Sequence, residues 1–351
     1  MKNSEAILVT PKHFEIQECP VPEPKDHEIL MKVEYVGMCG SDIHGFEFGP
    51  FIPPKDSNQK IGLGHEVAGE VVKIGAKVTK FKVGDKVLIE PGVPDDTCEY
   101  CRTGRYNICP GVDFMATQPN YKGALTQYMT HPEEWTYHIP EGMTTMEGAL
   151  VEPAAVGMHA AVLGGAQPGK SIVILGGGTI GLMVLQACIS LGATDITVVD
   201  VIEKRLELAK KLGAARVING KEEDTVAVLR SEEMYGDHGV DLVFEAAGAV
   251  FTAQQAVQIV SRGGKIMMVG TQSKPVPIDF LKINREVTIQ TSFRYCNNFP
   301  QTIEAISSGR FNVKDMVTNI YDYEDVQKAF EEAIDPVKKT EMVKGVIKVA
   351  E

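Results

Sequence analysis

The sequence has no run of Lys and Arg, no stretch of eighteen uninterrupted apolar residues, no internal repeat and no low-complexity tract. Each absence removes a class of function. With no basic cluster, and with 35 basic against 47 acidic side chains leaving a formal charge of −12, binding to a nucleic-acid backbone is disfavoured. Without a long apolar run, no membrane span is read. The opening residues, MKNSEAILVTPKHFEI, lack a basic segment leading into an apolar stretch and a small-residue cleavage site, so no secretory signal is read and a cytoplasmic location is expected. Cysteine is present at seven positions, an odd number in a chain of that character, so reduced thiols are expected rather than disulfides. What remains is an ordinary globular composition, 44% hydrophobic and 23% charged. Its 351 residues are long for one core, and two domains are the first expectation.

The two halves differ in pattern. Up to about residue 150, short apolar runs such as EILMKVEYVG, EVAGEVVKIG and DKVLIEPG alternate with turn signals, which predicts a mainly β domain. Beyond that, SIVILGGGTIGLMVLQACISLGA, DITVVDVIEKRLELAKKLGA, ARVIN, DLVFEAAG and GGKIMMVG alternate strand-like and helix-like segments. Such alternation predicts βαβ units and a doubly wound parallel sheet. From about residue 291 it stops, and the tail reads as helices and a closing strand. The expected division is therefore residues 1–155 with 291–351 returning to them, and residues 156–290 as the α/β domain.

ILGGGTIGLM places Gly176, Gly178 and Gly181 in a GxGxxG spacing between a strand-like and a helix-like run. Gly176 permits the tight turn, Gly178 lets the backbone approach a pyrophosphate, and Gly181 lets helix and strand pack closely. Asp200 ends ITVVD nineteen residues after Gly181, where a Rossmann site places an acid for the ribose hydroxyls. A carboxylate there accepts from a 2′-hydroxyl and repels a 2′-phosphate, which favours NAD over NADP. Arg205, five positions on, reads either as lying along the adenine or as a solvated helix charge.

Three cysteines crowd into CEYCRTGRYNIC, a spacing that points to metal. Elsewhere, Cys39 follows a strand-like run, and GHE supplies His65 and Glu66. A thiolate, an imidazole and a carboxylate suit a zinc site that keeps one position open. Taken singly, Cys39 is more often a small buried hydrophobe and His65 a satisfied loop histidine, and spacing alone does not bring them together.

GMCGSDIH, GHEVAGEVVKIG, GDKVLIEPG, CEYCRTGRYNIC, GALVEPAAVGMHA, VILGGGTIGL and SFRYCNNFP run in order along nearly the whole chain. In this it resembles the medium-chain dehydrogenase/reductase superfamily, and within it the zinc-containing sorbitol (polyol) dehydrogenases. The resemblance implies a GroES-like catalytic domain joined to a Rossmann NAD-binding domain, a homotetramer, and oxidation of a polyol to its ketose. It implies that Cys39, His65 and Glu152 bind a catalytic zinc directly or through water, with Glu66 as an alternate ligand. Such an ion acts as a Lewis acid, bringing a bound oxygen acid's pKa from about 16 towards about 7 and so easing hydride loss to the nicotinamide. Ser41 and His44 fall at the family's proton-relay positions. Phe114, Thr117, Arg294 and Tyr295 fall at substrate-side positions, polar enough as a set for a many-hydroxyl ligand. Thr179, Ile180, Val269 and Gly270 join the cofactor contacts.

Two departures stand out. The family's structural zinc lobe uses four cysteines, but here Asp95 precedes Cys98, Cys101 and Cys109 in a D-x2-C-x2-C-x7-C spacing. Carboxylate oxygen is an acceptable zinc ligand, and an occupied second site is expected. Where an aromatic residue often follows the histidine of CGSDxH, this chain has Gly45 and then Phe46, ahead of a long segment EFGPFIPPKDSNQKIGLG. The competing readings are a zinc dehydrogenase for butanediol, threonine or a simple secondary alcohol, a zinc-free reductase, and a non-catalytic dinucleotide-binding scaffold. Arg294 with Tyr295 argues against the first. Retention of Cys39, His65, Glu66 and Glu152 together argues against the other two.

Overall fold

The alternating runs of the first 150 residues form antiparallel strands in the structure, a computed structural model that describes residues 2–56, 58–272 and 274–350. Contacts divide the chain into two units: one comprises the chain up to Glu152 with Phe299–Ser307 and everything from Val317, the other Pro153–Asn298 with Ser308–Met316.

The first unit is built around strand Glu28–Gly37. It pairs antiparallel with Glu66–Ile74, Tyr128–Pro132 and the closing strand Lys344–Lys348. The sheet continues outward through Lys86–Ile89 to Thr136–His138 on one side and through Val317–Asp322 on the other. Ile29, Met31, Val33, Val67, Val71 and Val87 fill its interior. At about 25 cal/mol per Å² of apolar surface removed from water, side chains of this size each contribute roughly 1.5–3 kcal/mol. The Phe14 ring stacks on Phe46 at 5.3 Å and meets Phe330 edge-on at 5.1 Å, so the helices Gly40–Phe48 and Val326–Ile334 share one apolar seam with the strand His13–Cys19.

The second unit is a six-stranded parallel sheet in the order Arg216–Asn219, Asp195–Asp200, Ser171–Leu175, Val240–Glu245, Val260–Met268, Thr288–Thr291. Chain order reverses direction between Ser171–Leu175 and Val240–Glu245, which is the doubly wound arrangement with its switch point between those two strands. SIVIL and DITVVD are buried along almost their whole length, as strands covered on both faces must be. Asp224 caps the short helix Thr225–Leu229 through two backbone N–H groups.

The boundaries differ from the sequence expectation. Residues 153–155, 291–298 and 308–316 belong to the second unit, not the first. The reasons are local. Ser292 N–H donates to the Met268 carbonyl at 2.9 Å, and Asn298 Oδ1 lies 2.9 Å from His159 Nδ1. Asn312 N–H donates to Gln186 Oε1 at 2.8 Å, with Phe311 and Met316 almost fully buried. Among the described residues no helix is long and apolar enough to cross a membrane.

Candidate active site

In the first unit, strand Glu28–Gly37 delivers Cys39 to the N-cap of helix Gly40–Phe48. Strand Glu66–Ile74 begins with Glu66, and His65 immediately precedes it; both are buried. One ligand atom each from Cys39, His65 and Glu66 lie within 4.8 Å of one another. Ligands 2.0–2.3 Å from a tetrahedral ion stand about 3.3–3.8 Å apart, so small side-chain adjustments bring all three onto one zinc. Glu152, in helix Val151–Gly164, is buried but lies outside this group.

Two buried residues that the sequence reading missed hold these ligands. Asp42, 2% exposed, places Oδ2 3.3 Å from His65 Nδ1 and accepts the Gly64 N–H on Oδ1 at 3.0 Å. A carboxylate on one ring nitrogen fixes the tautomer and turns the other toward an ion. Burial opposes a charged imidazole, but Asp42 and Cys39 outweigh it and raise the His65 pKa well above the ordinary value; burial likewise opposes the Asp42 carboxylate, and His65 with the Gly64 N–H outweighs it, lowering that pKa. Lys344, 1% exposed, donates to Glu66 Oε1 at 2.7 Å and to the Met38 carbonyl at 2.9 Å, with Glu66 Oε2 at 2.5 Å. The D of GSDIH was a signal for the first. Nothing local marked the second.

Ser41 is exposed and directs Oγ to Cys39 Sγ at 3.3 Å. His44 stacks face to face on Phe51, 3.9 Å between centroids, and tilts against Phe48 at 5.0 Å. Both phenylalanines are more than 60% exposed, in the long segment singled out above, of which Ser57 lies outside the described residues. Phe114 is buried with its ring 5.4 Å from the His65 ring, whereas Thr117 turns its hydroxyl back onto the Phe114 carbonyl at 3.1 Å. Arg294 and Tyr295 fall in the second unit, where Arg294 has φ 51° and lays its guanidinium over Phe293, and Tyr295 is 2% exposed.

The second cluster also gathers. Asp95, Cys98, Cys101 and Cys109 each bring a ligand atom within 4.8 Å of the others, with Cys98 and Cys101 sulfurs 3.4 Å apart. Asp95 Oδ1 accepts from Thr97 N–H and Cys98 N–H, which fixes the carboxylate where the family's first cysteine would stand. All seven cysteines are free. Burial and the two neighbouring thiols push Cys101 up to about 12. That donor set fits a closed tetrahedral ion.

In the second unit, Gly176 has φ 108° and a Cβ there would stand 2.8 Å from Ala247 N; one on Gly181 would stand 1.8 Å from Gly176 O. A Cβ on Gly178 would meet nothing nearer than Arg205 at 3.8 Å, so this backbone faces open space at the N-terminus of helix Thr179–Ser190. Thr179 and Ile180 open that helix and are partly exposed. A helix N-terminus beside such space fits a pyrophosphate. Asp200 Oδ2 accepts from Gly177 N–H at 2.6 Å while Oδ1 accepts from Val201 and Ile202 N–H. Arg205 Nη1 lies 3.7 Å from Asp200, and its buried Nε has no hydrogen-bond partner among the described residues. Val269 and Gly270 donate to the Glu245 carbonyl at the end of the neighbouring strand.

Comparison with known proteins agrees with both halves. Residues 25–141 match the alcohol dehydrogenase GroES-like domain and residues 179–308 the zinc-binding dehydrogenase domain. The chain is 64% identical over its full length, and the full length of the relative, to the uncharacterized zinc-type alcohol dehydrogenase-like protein YdjJ of Escherichia coli. It is 40% identical to the sorbitol dehydrogenase of Bacillus subtilis, covering 94% of this chain and 93% of that one. A crystal structure of an Escherichia coli oxidoreductase/dehydrogenase of unknown specificity superimposes with TM-score 0.98 at 63% identity, covering all of both chains. The chain therefore belongs to the zinc-dependent medium-chain dehydrogenase/reductase family, in its polyol dehydrogenase type.

Proposed function

We propose that the protein oxidises a secondary hydroxyl of a sugar alcohol of the sorbitol or xylitol kind to the ketose with NAD, and catalyses the reverse reduction. The observation that carries this reading is the convergence of Cys39, His65 and Glu66, a mixed sulfur, nitrogen and oxygen set that leaves room for a further ligand. Zinc bound there supplies Lewis acidity toward a hydroxyl oxygen. The chain's own residues do the rest. Asp42 orients His65 and Lys344 orients Glu66. Ser41, its hydroxyl beside Cys39, takes the hydroxyl proton, and His44 passes it outward. Phe114, its ring against the His65 ring, walls the ligand set against water. Asp200, held by three backbone N–H groups, accepts from the ribose and disfavours a 2′-phosphate, while Gly178, Thr179 and Ile180 receive the pyrophosphate. Asp95, Cys98, Cys101 and Cys109 hold a second, structural zinc. The assembly is a homotetramer acting on small molecules, with no nucleic-acid partner.

The test is an initial-rate screen of four- to six-carbon polyols and ketoses with NAD and NADP, with and without a zinc chelator. Chelator-sensitive, NAD-linked turnover of polyols above simple secondary alcohols and butanediol is expected. Chelator-insensitive turnover, or none on any alcohol, would overturn the reading.

A further inference from the structure

The acid that ends strand Val240–Glu245 is not used in the function proposed above, yet it is more enclosed than any of the site's ligands. Glu245 is 0% exposed. Its Oε1 accepts from Ala247 N–H at 3.0 Å, Gly248 N–H at 2.9 Å and the Thr252 hydroxyl at 2.7 Å; its Oε2 accepts from Gln272 Nε2 at 2.7 Å. Two of the four partners are backbone N–H groups, which can only donate, so the atom at the Oε1 position must accept. The donors lie on two loops: Ala247 and Gly248 in the one that follows this strand, with Thr252 in the helix it leads into, and Gln272 in the one that follows strand Val260–Met268. The loops touch so closely that a Cβ on Gly270 would stand 2.3 Å from Gly248 N and 2.9 Å from Glu245 Oε2. The first loop also packs on the fingerprint turn, where Ala246 N–H donates to the Leu175 carbonyl at 2.8 Å.

Their place in the sheet gives this clamp its meaning. Ligands of doubly wound sheets lie outside the carboxyl ends of the strands at the switch point, here between Ser171–Leu175 and Val240–Glu245. Asp200 marks the adenosine half. The loops after Val240–Glu245 and Val260–Met268 therefore border the half that receives the other nucleotide.

We propose that Glu245 is a positioning residue for the nicotinamide half of the cofactor, its buried carboxylate tying the two loops that border that half into one rigid wall. The inference rests on the nicotinamide reading of the second unit. It is tested by NADH fluorescence titration of the zinc-replete protein, comparing wild type with Glu245→Ala, Glu245→Gln and Gln272→Leu, with metal content and melting curves recorded in parallel. Glu245→Ala should raise the NADH Kd at least tenfold with zinc content unchanged. Glu245→Gln should stay within threefold, because the Gln272 amide can turn over and offer its now unpartnered Oε1 to the new amide. Gln272→Leu, at a partly exposed position, should raise the Kd about threefold to tenfold and speed hydrogen exchange in both loops together. A Kd for Glu245→Ala within twofold of wild type, with only the melting temperature lowered, overturns the proposal. If Glu245→Ala does not fold, Gln272→Leu decides, and a Kd within twofold of wild type overturns it. Failure of wild type to bind NADH is a separate result, which sinks the cofactor reading and this inference with it.

Discussion

Replacing Lys344 with Met should destabilise the metal-free protein far more than the metal-loaded one. Lys344 and Glu66 are each 1% exposed, and the ammonium lies between both Glu66 oxygens and the Met38 carbonyl. Removing one partner of such a pair strands the other charge in a medium that cannot solvate it, a cost of roughly 3–5 kcal/mol. For a folding unit of this size, about 1 kcal/mol moves Tm by about 2–4 °C, so a fall on the order of 10 °C is expected in the presence of chelator. Zinc beside Glu66 supplies the missing positive charge, so added zinc should recover more stability in K344M than in wild type. Met is close to Lys in length and apolar, which limits the cavity contribution. The double variant K344M/E66Q removes both charges and should regain most of the loss, giving a coupling of roughly 2–3 kcal/mol in the cycle. Urea unfolding followed by circular dichroism, with and without zinc, reads all four proteins. A K344M variant within about 1 kcal/mol of wild type in chelator, or a double variant no more stable than K344M, would refute the reasoning that Lys344 compensates Glu66.

Ser41→Ala should lower turnover by roughly tenfold to a hundredfold, the scale of a lost proton-transfer group, with zinc content unchanged; unaffected turnover removes Ser41 from the relay. Asp42→Asn should weaken zinc binding about tenfold to a hundredfold in a competition with a chromogenic chelator, because His65 loses the anion that orients it; an unchanged affinity refutes that role. Glu90, with the Tyr106 and Tyr137 hydroxyls donating to its carboxylate, is pushed from its ordinary 4.5 to about 7 by burial, with the Glu152 charge adding to the rise. The folded protein therefore holds a proton that the unfolded chain has lost between those values, and stability should fall as pH rises from 4.5 to 7. At about 1.4 kcal/mol per pH unit the full effect is about 3 kcal/mol, and Glu90→Gln should abolish it. An identical pH dependence in wild type and E90Q contradicts the assignment.

Much of the second unit was legible because its signals are local. The GxGxxG turn, the apolar runs on either side and the acid closing the next strand all lie within one βαβ unit, and the structure places them as spacing implied. The gathering of Asp95, Cys98, Cys101 and Cys109 was legible for the same reason, three thiols within twelve residues. The convergence of Cys39 and His65 was not readable from spacing, since it comes only through the pairing of strands far apart in the chain; the resemblance supplied them. Lys344 was invisible. It lies 278 residues from Glu66 in an ordinary closing strand, and only the antiparallel register of Val346 opposite Gly37 brings it there. Glu245 read as one more acid at a strand end. Residues 308–316 were misassigned because the hydrogen bond from Asn312 to Gln186, which ties them to the second unit, spans 126 residues and leaves no periodic trace.

Everything turns on whether an ion sits on Cys39 and His65. The most direct measurement is an anomalous difference map at the zinc edge from crystals of the protein purified without chelator. One peak is expected about 2.3 Å from Cys39 Sγ and about 2.0–2.1 Å from a His65 ring nitrogen, and a second among Asp95, Cys98, Cys101 and Cys109. A map from active protein with no peak between Cys39 and His65 would contradict that expectation.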